Sequence, residues 1–344
     1  TNQLTIVVVP TRGMSILSVQ AGDVWLGWDS PVEEIVHPSH INLDSRGGLG
    51  WIEGFNELMV RCGLEFAGHP GTDVFTTNTG DQGEMDLTLH GKIGNIPASQ
   101  VELTIDPLPP HRIALTGLVR ERIFFGPKLD LVTELSIVPG ESGWTITDTI
   151  TNGGTADQEF EIIYHTNFGT NADGAGLLDE GSRIAMATRS VTPMNEHSAG
   201  NVDNWTTYAA PTAGFIEDVY LLEPIANDFG SAVAALVNAD ESSAVSLRWV
   251  TTELPYFTLW KNTAAMEDGY VTGLEPGTCY PFNRRVERAA GRLPVLAAGE
   301  SRSFTVHFAV HSDDEEVNAL LDEIAELQGD VAPELIPEAP VIPE

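Results

Sequence analysis

Short apolar runs recur along the chain, mostly four to ten residues long, and Gly, Pro, Asn, Asp and Ser clusters separate them. Most are rich in Val, Ile, Thr or aromatic residues, a composition that predicts β-strands bounded by turns. Runs of this kind are Leu4–Val9, Ser15–Val19, Val101–Ile105, Ile113–Val119, Leu131–Ile137, Trp144–Thr151, Glu159–His165, Ser243–Val250, Phe257–Trp260 and Ser303–Val310. Helical spacing is clear over Asp313–Gln328, where Val317, Leu320, Leu321, Ile324 and Leu327 fall on one face. Ser312 with Glu315 resembles a capping box at its start. A second, short helix is expected around Glu57–Cys62. Many strands without βαβ alternation predict an all-β protein, a large β-sandwich closed by one short C-terminal helix. Residues 1–312 are expected to form the sandwich and 313–328 the helix packed on it. The Pro- and Glu-rich stretch 329–344 reads as a disordered or surface-draped tail.

Charge narrows the partners. The 344 residues hold 17 basic and 50 acidic side chains, a net charge of −33, with lysine only at Lys92, Lys128 and Lys261. Such a surface repels nucleic-acid phosphates and anionic lipid. It is the surface of a salt-adapted protein kept soluble by its charge. Two cysteines, Cys62 and Cys279, do not make a disulfide framework and read as buried thiols. No apolar run is long enough to span a bilayer, and the first residues carry no signal-like pattern. A cytoplasmic monomer or homodimer is expected.

No dinucleotide fingerprint, P-loop, Gly-x-Ser-x-Gly elbow, Cys-x-x-Cys or His-Glu-x-x-His is present. His37 and His40, near Glu33 and Glu34, have a spacing that could hold a metal, but read as incidental loop histidines. The most informative position is His165, expected where a strong strand signal ends. By strand parity Glu159, Glu161, Ile163 and His165 share one face, and Phe160, Ile162 and Tyr164 share the other, core-forming face. An imidazole on the free face can trade protons near neutral pH. His90, followed by Gly91, sits where backbone can approach a ligand closely. Glu275 precedes Pro276, which holds its backbone extended. Histidine and glutamate held apart across a small substrate are a general acid and base.

Taken in order, Leu89-His90-Gly91, the strand ending in His165 with Phe168 beyond it, and Leu274-Glu275-Pro276-Gly277 resemble the aldose 1-epimerases of the galactose mutarotase-like superfamily. Thr151-Asn152-Gly153-Gly154 is similar to that family's turn ahead of its catalytic histidine strand. Arg12-Gly13-Met14, Gly54-Phe55-Asn56, Cys62-Gly63-Leu64 and Leu89 through Pro97 place the chain nearest a divergent branch, over roughly Leu4 to Val310. The resemblance implies a supersandwich fold and interconversion of the anomers of a free or modified sugar. It implies His165 as the acid on the ring oxygen, Glu275 as the base on the anomeric hydroxyl, and His90 as a sugar ligand. Neither metal nor organic cofactor is implied. The family's arginine-bearing segment has no obvious counterpart, so Arg61 or Arg12 is expected in its place, with Asn56 as a further sugar contact.

Pyranose C–H faces are apolar, and Trp260 is the expected stacking platform, with Trp205 and Phe168 behind it; Trp144 and Trp249 read as core. Lys261, in a chain so poor in lysine, is a candidate for an anionic group on the substrate. Two alternatives use the same site: a lyase or isomerase acting on a sugar acid, and a carbohydrate-binding protein without catalysis.

Overall fold

The computed structural model describes residues 4–341. Two large antiparallel sheets pack face to face. One runs, in hydrogen-bonded order, Leu4–Val9, Ser15–Ala21, Met59–Leu64, Glu161–Gly169, Val271–Gly277, Tyr256–Asn262, Asp218–Pro224, Thr188–Pro193 and Glu334–Leu335, with Val24–Leu26 added onto Ser15–Ala21. The other runs Arg183–Met186, Ser231–Val237, Ala244–Val250, Ser301–His311, Gly143–Asn152, Lys128–Ile137, Ile113–Arg122 and Gln100–Ile105. This is the large sandwich expected from the strand signals.

The core between the sheets is built from alternate residues of each strand. Ile162, Tyr164 and Phe168 point into it from one sheet, and Trp144, Ile146, Ile150, Phe304, Val306 and Phe308 from the other. Trp144 and Trp249 are buried there, as are Phe168 and Trp205, which are therefore not platforms for a ligand. A second, smaller apolar cluster lies on the opposite face of the first sheet. It comprises Trp28, Trp51, Phe55, Val60, Cys62, Ala67, Leu89, Ile163, Val271 and Cys279. Both cysteines are free and buried in it.

Three local expectations change. Glu57–Cys62 is not helical: Met59–Leu64 is a buried strand between Ser15–Ala21 and Glu161–Gly169. A short apolar run carries no decisive period, and here sheet pairing on both sides settles the conformation. The His165 strand runs on to Gly169, so His165 lies mid-strand rather than at the sheet's end. The C-terminal helix, Asp314–Gln328, is capped one residue later than expected. Asp313 Oδ1 accepts from Glu316 N–H at 2.9 Å, and Glu316 Oε2 accepts from Ser312 N–H at 3.1 Å. Its Val317, Leu320 and Ile324 pack on Ala185, Ala187, Val233 and Val237 of the second sheet. Beyond it, Glu334–Leu335 lies parallel to Thr188–Pro193 as an added edge strand, so the tail is draped rather than loose over that stretch.

Candidate active site

The outer face of the first sheet carries a cavity of about 510 Å³. Parity puts its floor there. His165 and Ile163 point outward because Tyr164 points into the core, and on the neighbouring strand Gly273 and Glu275 point outward because Leu274 points in. One strand further, Thr258 and Trp260 line the cavity while Phe257 and Leu259 fill the core. The walls come from loops that cover this face: Trp28, Trp51, Phe55 and Leu89 on one side, and Met194, Glu217, Val219 and Pro281 on the other.

His165 Nε2 lies 3.3 Å from Glu275 Oε1. The two are not held apart across the cavity; they sit side by side on its floor. The network assigns the tautomer of His165. Asn167 Nδ2 donates to the carbonyls of Glu57 and His165, so its Oδ1 is free to accept, and His165 Nδ1–H donates to it at 2.6 Å. Nε2 therefore faces Glu275. Burial holds the His165 imidazole down to about 4, with the bond to Asn167 opposing in part. Burial, helped by the charge on Glu217, pushes the Glu275 carboxyl well above the usual range. Both shifts favour the neutral forms, an arrangement in which the pair holds a single transferable proton, on Nε2 or on Oε1. Glu275 Oε1 has no hydrogen-bond partner, and neither does Thr258 Oγ1 beside it in the register. Both are buried and line the cavity. Unpartnered buried polar atoms at a cavity floor are groups awaiting a ligand.

His90 completes the floor. Its Nδ1–H donates to the Ala67 carbonyl at 3.0 Å, which leaves Nε2 as an acceptor. Burial and the neighbouring His165 hold its pKa well below the ordinary value. Its ring stands edge-on to Trp51 at 4.6 Å and to His165 at 5.2 Å. Gly91 is required beside it: its φ is +72°, and a Cβ would lie 2.1 Å from the Phe66 carbonyl oxygen. Gly273 is required for another reason, since a Cβ there would lie 2.5 Å from Glu275 Oε1 and 3.3 Å from His165 Cε1. Trp260 lines the cavity, 5.5 Å from the His165 ring, and its indole N–H donates to Glu217 Oε2 at 2.7 Å.

A family model described as a domain of unknown function, DUF4432, matches residues 1–310. The chain belongs to the DUF4432 family. Among solved structures it is similar to a Klebsiella pneumoniae protein described, provisionally, as an aldose 1-epimerase. That structure is 40% identical, with a TM-score of 0.91, over 99% of this chain and 85% of the other. A galactose mutarotase-like protein from Clostridium acetobutylicum is 15% identical, with a TM-score of 0.61, over 90% of this chain and 93% of its own. An Escherichia coli protein, also described provisionally as an aldose 1-epimerase, is 14% identical, with a TM-score of 0.58, over 90% of this chain and 97% of its own. These two share the fold. No curated protein matches this sequence.

The remaining candidates of this DUF4432 chain fall elsewhere. Arg61 is one residue out of phase with the site, paired with Tyr164 rather than His165, and so points into the core. It forms a buried ion pair with Asp148, whose Oδ2 also accepts from Tyr164 Oη at 2.9 Å. Arg12 is spent on Glu57 at 2.9 Å and on the Gly54 carbonyl at 2.8 Å. It braces the segment that carries Phe55 and the carbonyl receiving Asn167, and lies outside the cavity lining. Asn56 Nδ2 donates to the Val32 and Glu34 carbonyls at 3.0 and 2.9 Å, pinning the loop that forms one wall. Lys261 follows Trp260 and so points to the opposite face, where its Nζ donates to the Asn204 and Thr207 carbonyls at 3.0 and 2.6 Å. His37 and His40 sit in an exposed turn. Asn167 and Gly273 had a sequence signal: each is two residues from a site residue on the same strand, hence on the same face. Trp51, Phe55 and Glu217 had none, because loops bring them in.

Because Arg61 answers a buried carboxylate, Arg61→Ala should cost about 3–5 kcal/mol of stability by leaving Asp148 charged and unpaired. Urea unfolding followed by tryptophan fluorescence measures it. A loss below about 1 kcal/mol would show that Asp148 is satisfied without the arginine.

Proposed function

We propose that the chain is an aldose 1-epimerase-like enzyme that interconverts the anomers of a free sugar. The observation that carries this reading is the 3.3 Å approach of His165 Nε2 to Glu275 Oε1 on a cavity floor. The anomeric hydroxyl oxygen and the ring oxygen of a pyranose are both bonded to C1, so two neighbouring groups can each address one of them. With the proton on Nε2, Glu275 takes the hydrogen of the anomeric hydroxyl while His165 protonates the ring oxygen. The C1–ring-oxygen bond breaks and C1 becomes an aldehyde. The pair still holds one proton in total beyond the product's share, now on Glu275. Rotation about C1–C2 presents the other face of the carbonyl, and the reverse transfers close the ring to the opposite anomer. One orientation of the two groups serves both directions, which is the advantage of holding them rigidly. In this reading His90 Nε2 accepts from a sugar hydroxyl and Trp260 meets an apolar pyranose face, roles that their positions in the cavity lining support.

Anomer exchange measured by NMR saturation transfer over a panel of free aldoses tests this proposal. Failure to exceed the buffer rate on every sugar would overturn it. The one-proton pair also fixes the pH response. As pH falls through about 4, His165 acquires a proton while Glu275 keeps its own, and no base remains. As pH rises past the elevated value of Glu275, the pair loses its only proton and no acid remains. The kcat/KM profile should be flat through neutrality, with its acid limb near 4. An acid limb at the ordinary histidine value, about 6.5, would contradict the shared-proton state.

A further inference from the structure

We propose that the cavity selects an uncharged reducing sugar whose edge remote from the anomeric carbon is apolar, the 6-deoxyhexoses being its simplest members. This rests on the epimerase reading for the orientation of the sugar, though not for its charge.

Polarity is sorted by depth in the cavity. The buried floor holds the chemistry-bearing groups His90, His165, Thr258 and Glu275. Part of the lining is apolar and open to solvent: Leu49 is 39% exposed and Ile52 43%. Large aliphatic side chains left exposed at the mouth of a cavity mark a surface that a ligand covers. A sugar seated with its anomeric carbon on the floor turns its far edge toward this part of the lining. A hydroxymethyl group there would surrender its water to Leu49 and Ile52 and gain no hydrogen bond from them. A methyl group would gain the contact without that loss.

The charge of the lining points the same way. Among the described residues, no lysine or arginine lines the cavity. The acids Glu217 and Asp268 also line the cavity and are exposed, and among the described residues neither is paired with a lysine or arginine. Burial lowers the pKa of all three imidazoles that line the cavity, His69, His90 and His165, and so disfavours their cationic forms. Lys261, the residue expected to meet an anion, lies on the other face of its strand. A phosphate, carboxylate or sulfonate entering here meets the like charge of Glu217 and Asp268 and no lysine or arginine to offset it. An enzyme acting on sugar acids would need a fixed cation for the carboxylate, and among the described residues neither lysine nor arginine lines this cavity.

Matched sugars test the proposal: D-galactose, D-fucose and D-galacturonate as one set, and D-glucose, D-quinovose and D-glucose 6-phosphate as another. Anomer exchange gives kcat/KM, and calorimetry gives binding. The 6-deoxy sugar of at least one set should exceed its hydroxymethyl parent by about 10–10²-fold, the range an apolar pocket gives against one added hydroxyl. The anion should fall below the parent by at least about 10²-fold. Parents equal to or better than both deoxy sugars, or an anion within about tenfold of its parent, would overturn it. If nothing turns over but deoxy sugars bind and anions do not, the selectivity stands and the epimerase reading falls. If none of the six binds, the selectivity proposal fails too.

Discussion

Glu275→Gln should lower kcat by about 10²–10⁴-fold, the range for removal of a general base, while leaving the fold intact. The substitution is nearly isosteric and removes the ability to take a proton. Burial, and to a lesser extent the charge on Glu217, favour the neutral form of Glu275, and an amide mimics that form. No ion pair with arginine or lysine is broken, because His165 alone faces it within ion-pair distance. Stability should therefore change little, and sugar binding should survive. Calorimetry with a deoxy sugar, set beside single-turnover anomer exchange, separates the two. Loss of binding in parallel with loss of rate would make Glu275 a ligand rather than a base. A rate within tenfold of the parent would remove it from the chemistry.

How far this site was legible follows from strand parity. The alternation of Phe160, Ile162 and Tyr164 with Ile163 and His165 fixed the free face of one strand, and the structure keeps that assignment. The same rule excludes Arg61 and Lys261. Each lies one residue out of phase with a site residue on its own or the paired strand, and a one-residue step in a sheet moves a side chain to the opposite face. Applied to Met59–Leu64 and Tyr256–Asn262, parity would have sent both inward, but the register between strands is not written in either run. Arg12 and Asn56 are harder. They neighbour the site along the chain yet serve it through backbone carbonyls, and a side chain's hydrogen-bond partner is a tertiary fact. Trp51, Phe55 and Glu217 come from loops whose paths depend on what they cover. The sheets were legible because burial repeats with a period of two; the cavity walls have no period to read.

His165→Ala tests the other half of the pair and should be the more damaging change, with kcat lowered by about 10²–10⁴-fold and Glu275 altered as well. On the proposed mechanism, removing the ring deletes the proton donor and leaves Glu275 Oε1 without the one group facing it. It also frees Asn167 Oδ1, which loses its donor inside a buried network. The vacancy opens onto the cavity and is bounded by Trp51, Phe55, His90 and Trp260, all within 6 Å between ring centroids. Imidazole from solution fits that aromatic box and can restore both the bond to Asn167 and the acid facing the ring oxygen. Added imidazole should therefore raise the rate of His165→Ala in a saturable way, and should do nothing for Glu275→Gln. The restored rate should track the neutral fraction of the added base, which joins protonated Glu275 to make the one-proton pair, shifting the pH profile when a substituted imidazole of different basicity replaces it. A structural role for His165 would give neither saturation nor that shift. Rescue of both variants alike would place the effect outside the cavity and would sink the assignment of His165 as the acid.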